Sequence, residues 1–181
     1  MALTESTSTP LGTPCPGFTL PAVNGLSLRL DDIRTPGLLV VFMCNHCPYV
    51  QAVDDRINEL AKRFRGRCTV VGIASNDAVA YPEDGFAAMG ERALEKGFVF
   101  PYLYDESQEV ARAFGAVCTP DFFLYGADRR LAYRGRLDDS WKDPAQVTRE
   151  DLRLAIEAIL EGREVPQPQI PSLGCSIKWK R

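Results

Sequence analysis

The chain has 181 residues and a mass of 20.1 kDa, which fits one domain that is large enough to bury a core without disulfides or metals. Its formal net charge is -3 and its Lys and Arg residues are scattered, so the basic stripe that nucleic-acid binding requires is missing. No apolar run approaches the roughly 20 residues that span a bilayer, and the first ten residues lack the pattern of a secretory signal, so we expect a cytoplasmic protein that acts away from membranes.

The first half of the sequence predicts a βαβ unit behind an opening hairpin. Continuous apolar runs are typical of strands buried on both faces of a sheet, and apolar residues three and four apart are typical of a helix packed on one. Two parallel strands joined by a helix take a right-handed crossover. In chain order, the predicted elements are a flexible arm over 1–10, a β-hairpin that turns at Asn24-Gly25, a buried strand over 38–43, a helix over 48–66 and a second buried strand over 68–74.

The second half predicts further helices around an antiparallel hairpin. Thr148 and Asp151, three residues apart at the start of an apolar periodic segment, predict the N-cap of the final helix. In chain order, the predicted elements are a helix over 82–96, an extended piece over 98–104, a helix over 107–114, two strands over 121–125 and 131–135, the helix that opens at 148, and a proline-rich tail over 165–181.

The motif with the clearest chemistry is Cys44-Asn45-His46-Cys47-Pro48, directly after the first buried strand. A strand that delivers a cysteine to the first turn of a helix directs backbone N–H groups and the positive end of the helix dipole at the sulfur, which favours thiolate. Two cysteines three residues apart on a helix lie close enough to form and break a disulfide. We therefore predict a redox dithiol, with Cys44 as the exposed, ionised, attacking thiol and Cys47 as the resolving thiol.

Three other uses of these cysteines stay open. First, both cysteines could be reduced thiols that pack as small apolar side chains. Second, they could supply half of the ligands of a zinc site. Third, together with Met43, they could be soft ligands for Cu(I) in a non-catalytic binding module. A single Cys-x-x-Cys supplies only two of the four zinc ligands, so zinc would have to recruit His46, Cys118 or Cys175. We expect no metal and no cofactor.

His46 is the only histidine and lies between the two thiols. A protonated imidazole there stabilises a Cys44 thiolate and shifts the pair towards oxidising power. A solvent-facing histidine with a weak effect is an equal alternative. The strand before Cys44 contains no carboxylate, so the direction of the redox reaction stays open.

Three motifs are similar to those of a known superfamily. They are Cys44-Asn45-His46-Cys47-Pro48-Tyr49-Val50, Cys118-Thr119-Pro120-Asp121-Phe122-Phe123 and Gly174-Cys175-Ser176-Ile177-Lys178-Trp179. They resemble the peroxiredoxin and alkyl hydroperoxide reductase superfamily, in a subgroup with a thioredoxin-type dithiol that is often labelled thiol:disulfide interchange protein. The resemblance implies a thioredoxin-like α/β fold, a three-layer sandwich with a central mixed sheet, an N-terminal hairpin and a helical insertion, over residues 11–164, with the tail 165–181 on or near it.

The resemblance also implies site residues and partners. Thr119 and Pro120 would form a cis-proline loop that faces the dithiol and pairs with a substrate peptide. Cys118 and Cys175 are candidate auxiliary thiols, although a core position for Cys118 and a free thiol in a mobile tail for Cys175 stay open. The implied partners are protein or small-molecule disulfides, or peroxides, and a thioredoxin-type electron donor.

A thiol peroxidase is the main alternative function. The resemblance aligns Cys47 with a peroxidatic cysteine that becomes a sulfenic acid, which Cys44 would resolve. Members of the superfamily place Thr or Ser at the position of Cys44, and an Arg where this chain has residues 118–120. Without those donors the developing charge on the peroxide loses its stabilisers, so disulfide exchange is the leading prediction.

Several polar residues are assigned to structure rather than chemistry. We interpret Asn76-Asp77 and Glu83-Asp84 as capping residues. Arg134 and Arg136 alternate on a predicted strand and are interpreted as solvated charges on one face.

Overall fold

A computed structural model describes residues 3–181 of the chain. Among these residues, no helix combines the length and the apolar character needed to cross a membrane. The strands are β1 Leu3–Glu5, β2 Thr19–Pro21, β3 Ser27–Arg29, β4 Gly37–Phe42, β5 Cys68–Ala74, β6 Tyr102–Tyr104, β7 Cys118–Thr119, β8 Asp121–Tyr125, β9 Leu131–Arg134 and β10 Leu173–Ser176. The α-helices are α1 Pro48–Gln51, α2 Asp54–Arg63, α3 Phe86–Glu95, α4 Glu109–Phe114 and α5 Asp151–Leu160, with 3-10 helices at Leu30–Asp32, Pro82–Asp84 and Pro144–Gln146.

A five-stranded mixed sheet in the order β6-β5-β4-β8-β9 forms the centre of the fold. β4 pairs in parallel with β5 and antiparallel with β8. Every residue of β4 is buried, because both faces of the sheet are covered. The predicted βαβ unit, the mixed sheet and the β2–β3 hairpin are all present.

Side chains of β4 alternate between two apolar clusters, one on each face of the sheet. Leu39 and Val41 belong to the cluster that includes residues of α2, α3 and α5, and Leu38 and Val40 to the cluster that includes residues of α4. Burial of such a side chain contributes about 1.5–3 kcal/mol. The two covered faces produce the predicted three-layer sandwich.

The helix predicted over 48–66 is interrupted. α1 ends at Gln51 and α2 begins at Asp54, after Val53 with φ -123° and ψ -8°. The Ala52 carbonyl accepts a hydrogen bond from the Arg56 guanidinium at 3.1 Å, so the backbone group next to the break is satisfied. No Gly or Pro marks the break, which is why the apolar spacing predicted one continuous helix.

The prediction of a flexible arm is wrong over residues 3–5. These residues form β1, which pairs antiparallel with β10, with Leu3 opposite Cys175. β10 also pairs with β7 on its other side, so β1 satisfies backbone groups that an edge strand would leave open. Residues 1 and 2 lie outside the described part of the chain. The resulting three-stranded sheet places β10 between β1 and β7, the strand that carries Thr119.

The predicted N-cap of the last helix is also wrong. α5 begins at Asp151 after Glu150, and the Thr148 hydroxyl donates to Asp139 in the preceding loop. The Asp139 carboxylate also accepts from the backbone N–H groups of Thr148 at 2.9 Å and Arg149 at 3.2 Å. The Thr148 hydroxyl therefore binds the carboxylate of Asp139 in the loop and does not cap the helix.

Candidate active site

The two cysteines of the motif lie between the end of β4 and the start of α1. Cys47 is the N-cap of α1, and Pro48 occupies the first helical position, where its missing N–H is not needed. Cys44 precedes the helix and lies in the connection from β4. The sulfur nearest to the helix N-terminus therefore belongs to Cys47 and not to Cys44.

Neither sulfur is open to solvent in this structure. Cys44 is 1% exposed and Cys47 is 0% exposed, so the prediction of an exposed Cys44 is wrong. The neighbours of the Cys44 sulfur explain its burial: a His46 ring nitrogen and an Asp84 carboxylate oxygen lie within 4.8 Å of it. These groups come from the motif itself and from a distant 3-10 helix, which the sequence pattern does not connect.

Thr119 contacts both sulfurs. The Thr119–Pro120 peptide bond is cis, as the resemblance implies. The Thr119 hydroxyl oxygen lies 3.4 Å from Cys44 Sγ, and the Thr119 carbonyl oxygen lies 3.2 Å from Cys47 Sγ. The structure therefore brings together four of the residues that the sequence analysis selected.

Cys175 joins this group from the C-terminal strand. It lies opposite Thr119 in the β7–β10 register and is buried, and its thiol is close enough to lower the pKa of Cys47. A Cβ atom at Gly174 would lie 2.0 Å from the Thr119 carbonyl oxygen, so only glycine allows β10 to approach this closely. The alternative of a free thiol in a mobile tail is excluded.

Cys118 is adjacent to Thr119, but its thiol contacts a backbone carbonyl and not the other two sulfurs. It is fully buried, and its thiol donates to the Pro120 carbonyl at 3.8 Å. Burial raises the pKa of the Cys118 thiol far above its ordinary value. These facts favour the core position over a redox role.

Asp84 is the site residue that the sequence analysis missed. It is fully buried, and its carboxylate accepts hydrogen bonds from the backbone N–H groups of Asn45 at 2.8 Å and His46 at 3.2 Å, and from the Asn76 amide at 2.8 Å. Capping is thus the wrong interpretation of Asp84, because the carboxylate anchors the turn between the two cysteines. The contact joins residues 38 positions apart, which no local pattern encodes.

His46 is held between Asp84 and an aromatic ring. Its Nδ1 lies 2.5 Å from an Asp84 carboxylate oxygen, and its ring stacks on Tyr81 with centroids 5.2 Å apart. Its Nε2 is buried and has no hydrogen-bond partner among the described residues. The solvent-facing alternative for His46 is therefore excluded, and the ring has a fixed orientation beside Cys44.

The two thiols of the motif have opposite pKa shifts. The pKa of Cys47 is lowered to about 5, first by the Cys44 thiol, which donates to it, and further by the Cys175 thiol and the Val50 backbone amide, against the effect of burial. The pKa of Cys44 is raised, first because its thiol donates to Cys47, then by burial and by the negative charge of Asp84. These opposite directions favour ionisation of Cys47 over Cys44, so the pKa shifts do not support the predicted thiolate at Cys44.

A buried ion pair lies behind the cis-proline loop. Arg134 is not a solvated charge: its guanidinium lies 3.1 Å from the buried Asp121 carboxylate and 4.3 Å from the centre of the Phe123 ring. Burial raises the pKa of Asp121 to about 6, although Arg134 opposes the shift. The alternation pattern did not predict this burial, because a charge enters a core only when a distant partner meets it. Arg136, by contrast, is partly exposed and pairs with Asp151 at 2.7 Å.

The described residues contain one group of three side chains whose ligand atoms lie within 4.8 Å of one another, namely Cys44, His46 and Asp84. Asp84 already accepts hydrogen bonds from Asn76 and from the backbone, so its oxygens are engaged. No such group within residues 3–181 contains both Cys44 and Cys47. This geometry does not favour the zinc and Cu(I) alternatives, which need both cysteines and a third converging ligand.

With this geometry established, comparisons with known proteins identify the family. Residues 11–134 match the AhpC/TSA family. The chain belongs to the AhpC/TSA family. The resemblance seen in the three sequence motifs is therefore confirmed at the level of the family.

Two proteins of Geobacillus are similar to this chain over most of its length. The chain is 28% identical over 156 residues to thiol-disulfide oxidoreductase ResA of Geobacillus thermodenitrificans. The alignment covers 86% of this chain and 82% of that protein. A conserved protein of Geobacillus kaustophilus has a solved structure with 47% identity and a TM-score of 0.95, covering 99% of this chain and 97% of that chain.

A more distant structure defines the fold class. A putative thiol:disulfide interchange protein DsbE from Chlorobium tepidum shares 19% identity with a TM-score of 0.66, over 84% of this chain and 99% of that chain. The thioredoxin-like fold is thereby confirmed.

Proposed function

We propose that this protein is a thiol–disulfide oxidoreductase in which Cys44 and Cys47 alternate between dithiol and disulfide. The observation that carries the proposal is the contact of both sulfurs with Thr119, the residue before cis-Pro120. Two thiols that both contact Thr119 and have opposite pKa shifts provide one nucleophile and one resolving group. The relationship to thiol-disulfide oxidoreductase ResA supports the same class of reaction.

The geometry supports Cys47 as the attacking sulfur and Cys44 as the resolving sulfur, the reverse of the order expected from the sequence. The Cys47 thiolate attacks one sulfur of the substrate disulfide, forms a mixed disulfide and releases the first substrate thiolate. Cys44 then loses its proton and attacks the Cys47 sulfur, which releases the second substrate thiolate and leaves a Cys44–Cys47 disulfide. The substrate is reduced by two electrons and the enzyme is oxidised by two electrons.

His46 is proposed as the group that accepts the Cys44 proton. One of its ring nitrogens lies within 4.8 Å of the Cys44 sulfur. Asp84 and the Tyr81 ring hold the imidazole in place, so no reorientation is needed at the moment of transfer. The same pair returns the proton when the disulfide is reduced again by a thioredoxin-type electron donor.

Protein or small-molecule disulfides are the proposed substrates. A cavity of about 170 Å³ next to the loop is lined by residues that include Tyr49, Pro120 and Trp141. It lies beside α1 and offers an apolar surface for a peptide segment next to the dithiol. Because both sulfurs are buried, catalysis requires the surrounding side chains to move aside when a substrate binds.

Insulin reduction with dithiothreitol as the reductant tests the proposal. We expect the protein to accelerate precipitation of the insulin B chain, and we expect Cys47→Ser to abolish the acceleration and Cys44→Ser to reduce it. Cys68→Ser is the matched control, because Cys68 is a buried cysteine on β5 outside the site. Full activity in both site variants would rule out the proposed dithiol.

A thiol peroxidase is a second candidate, favoured by the lowered pKa of Cys47, the sulfur that would attack a peroxide. Cys44 stands where the superfamily has a hydroxyl donor, which argues against efficient peroxide activation. Hydrogen peroxide consumption that survives Cys44→Ser and is lost in Cys47→Ser would support the peroxidase instead of disulfide exchange.

Cytoplasmic localisation stays a prediction from the sequence. The redox poise of the compartment decides whether a dithiol acts as a reductant or an oxidant. Cell fractionation followed by immunoblotting, with trapping of the thiol state by alkylation, tests the location and the resting oxidation state together.

A further inference from the structure

Cys47 has two thiol neighbours that come from different parts of the chain. Cys44 follows β4, and its Sγ lies 3.4 Å from the Thr119 hydroxyl oxygen. Cys175 lies on β10 opposite Thr119, whose carbonyl oxygen is 3.2 Å from Cys47 Sγ. The three sulfurs do not all lie within 4.8 Å of one another. Thr119 is thus the common neighbour of the three cysteines, and Cys47 has a thiol close to it on each of two separate chain segments.

The backbone on both sides of Cys175 is anchored. Before it, the Ser172 hydroxyl donates to the Pro120 carbonyl at 2.7 Å. After it, the Lys178 backbone N–H donates to the Asn76 side chain at 2.8 Å, and the Lys178 carbonyl accepts from the Asp77 backbone at 2.8 Å. The position of the Cys175 thiol beside Cys47 is thus fixed before any substrate arrives.

We infer that Cys175 is a second resolving thiol for Cys47, so that the protein forms two alternative disulfides, Cys44–Cys47 and Cys47–Cys175. This inference rests on the proposed exchange function and adds a third sulfur to it. After Cys47 has formed a mixed disulfide with the substrate, either neighbour attacks the Cys47 sulfur. Attack by Cys175 forms the Cys47–Cys175 bond, breaks the bond to the substrate and releases the substrate thiolate, which takes up the proton that Cys175 has lost.

The pKa of Cys175 is expected to fall when Cys47 forms a mixed disulfide, which favours attack by Cys175. In the reduced protein the pKa of Cys175 is raised to about 12, first by burial and then by its hydrogen bond to Cys47 and the charge of Cys47, while Lys178 opposes the shift. A mixed disulfide carries no charge on Cys47, so both contributions from Cys47 disappear. Cys175 therefore ionises more easily once Cys47 has captured a substrate.

The test uses the full-length Cys44→Ser variant, in which the first resolving thiol is absent. The reduced variant is incubated with glutathione disulfide and quenched with acid, and the products are identified by intact mass and by peptide mapping without reduction. We expect a Cys47–Cys175 disulfide and little glutathione adduct. In Cys44→Ser/Cys175→Ala we expect a stable glutathione adduct on Cys47.

Cys44→Ser/Cys118→Ala is the matched control, because Cys118 is also buried beside Thr119 but donates to Pro120. It should behave as Cys44→Ser does. Far-UV circular dichroism confirms folding, and Cys175→Ser replaces Cys175→Ala if the latter does not fold. A stable Cys47 adduct in Cys44→Ser, with no Cys47–Cys175 disulfide, would overturn the inference alone. Absence of both the adduct and the Cys44–Cys47 disulfide in the wild type would overturn the proposed function as well.

Discussion

At the scale of single residues, the opposite pKa shifts of Cys44 and Cys47 favour Cys47 as the sulfur that ionises. Cys47 is fully buried, yet its pKa is lowered to about 5, because thiol donors outweigh desolvation. A buried cysteine without such donors, such as Cys68, has its pKa raised to about 12. The neighbours of a thiol, and not its depth alone, thus decide its acidity.

This difference predicts the pH dependence of alkylation. Because thiolate is the reactive form and the pKa of Cys47 is lowered, carboxymethylation of Cys47 by iodoacetate should rise through about pH 5 and level off below neutrality. Peptide mapping after timed alkylation measures the rate at each pH. Cys44→Ser, which replaces the strongest thiol donor, should move the inflection to higher pH. An inflection near the ordinary cysteine pKa in the wild-type protein would contradict the assignment.

Asp84 provides a second prediction at this scale. Asp84→Asn replaces the carboxylate that holds Asn45 and His46 with an amide whose NH₂ group faces other donors. We expect the free energy of unfolding to fall by about 1–3 kcal/mol, as for other buried groups that lose a charged hydrogen-bond partner. Urea denaturation followed by circular dichroism measures the loss. The control Asp31→Asn changes an exposed aspartate and should have little effect, and equal stabilities of the two variants would exclude an anchoring role.

At the scale of secondary-structure elements, features that local patterns encode could be predicted from the sequence, whereas features that depend on long-range contacts could not. The Asn24-Gly25 turn and the buried strand β4 follow from turn chemistry and from a continuous apolar run, which are local signals. The interruption before Asp54 has no local marker. The Asp84 and Arg134 contacts depend on chain segments that meet only in the folded protein. The dithiol was therefore predictable, but its electrostatic environment was not.

β10 supplies the prediction at this scale. Gly174→Ala places a Cβ atom against the Thr119 carbonyl, so β10 must move away from the cis-proline loop. We expect a loss of about 1–3 kcal/mol of stability, the usual cost of overpacking, together with loss of the Cys47–Cys175 disulfide in the Cys44→Ser background. Urea denaturation and peptide mapping measure the two effects. Gly17→Ala is the control, since a Cβ atom there meets open space, and unchanged behaviour of Gly174→Ala would show that β10 does not need this close approach.

At the scale of the whole molecule, the two ends of the chain support each other beside the site. β1 covers one edge of β10, and β7 with the cis-proline loop lies on the other edge. The position of Cys175 thus depends on residues that are far away in the sequence. The central sheet does not include β1, so its stability should not depend on it.

Removal of residues 1–5 tests this dependence. The shortened chain should fold, because β4 and β5 keep all their partners, but amide hydrogen exchange over residues 173–176 should accelerate as one edge of β10 loses its partner. Hydrogen–deuterium exchange with mass spectrometry measures this, with β5 as the internal reference. Equal exchange in both proteins at β10 would show that β1 does not hold this strand.

The meeting of the two ends also has a practical consequence for labelling the protein. β10 pairs directly with the strand that carries Thr119, and β1 pairs with the other edge of β10, so a label fused just before β1 or just after β10 would lie close to this three-stranded sheet. The turn between β8 and β9 is a better place for a label, because β8 starts at the cis-proline loop and runs away from it. Insertion near Asp128 would leave the redox pair unobstructed.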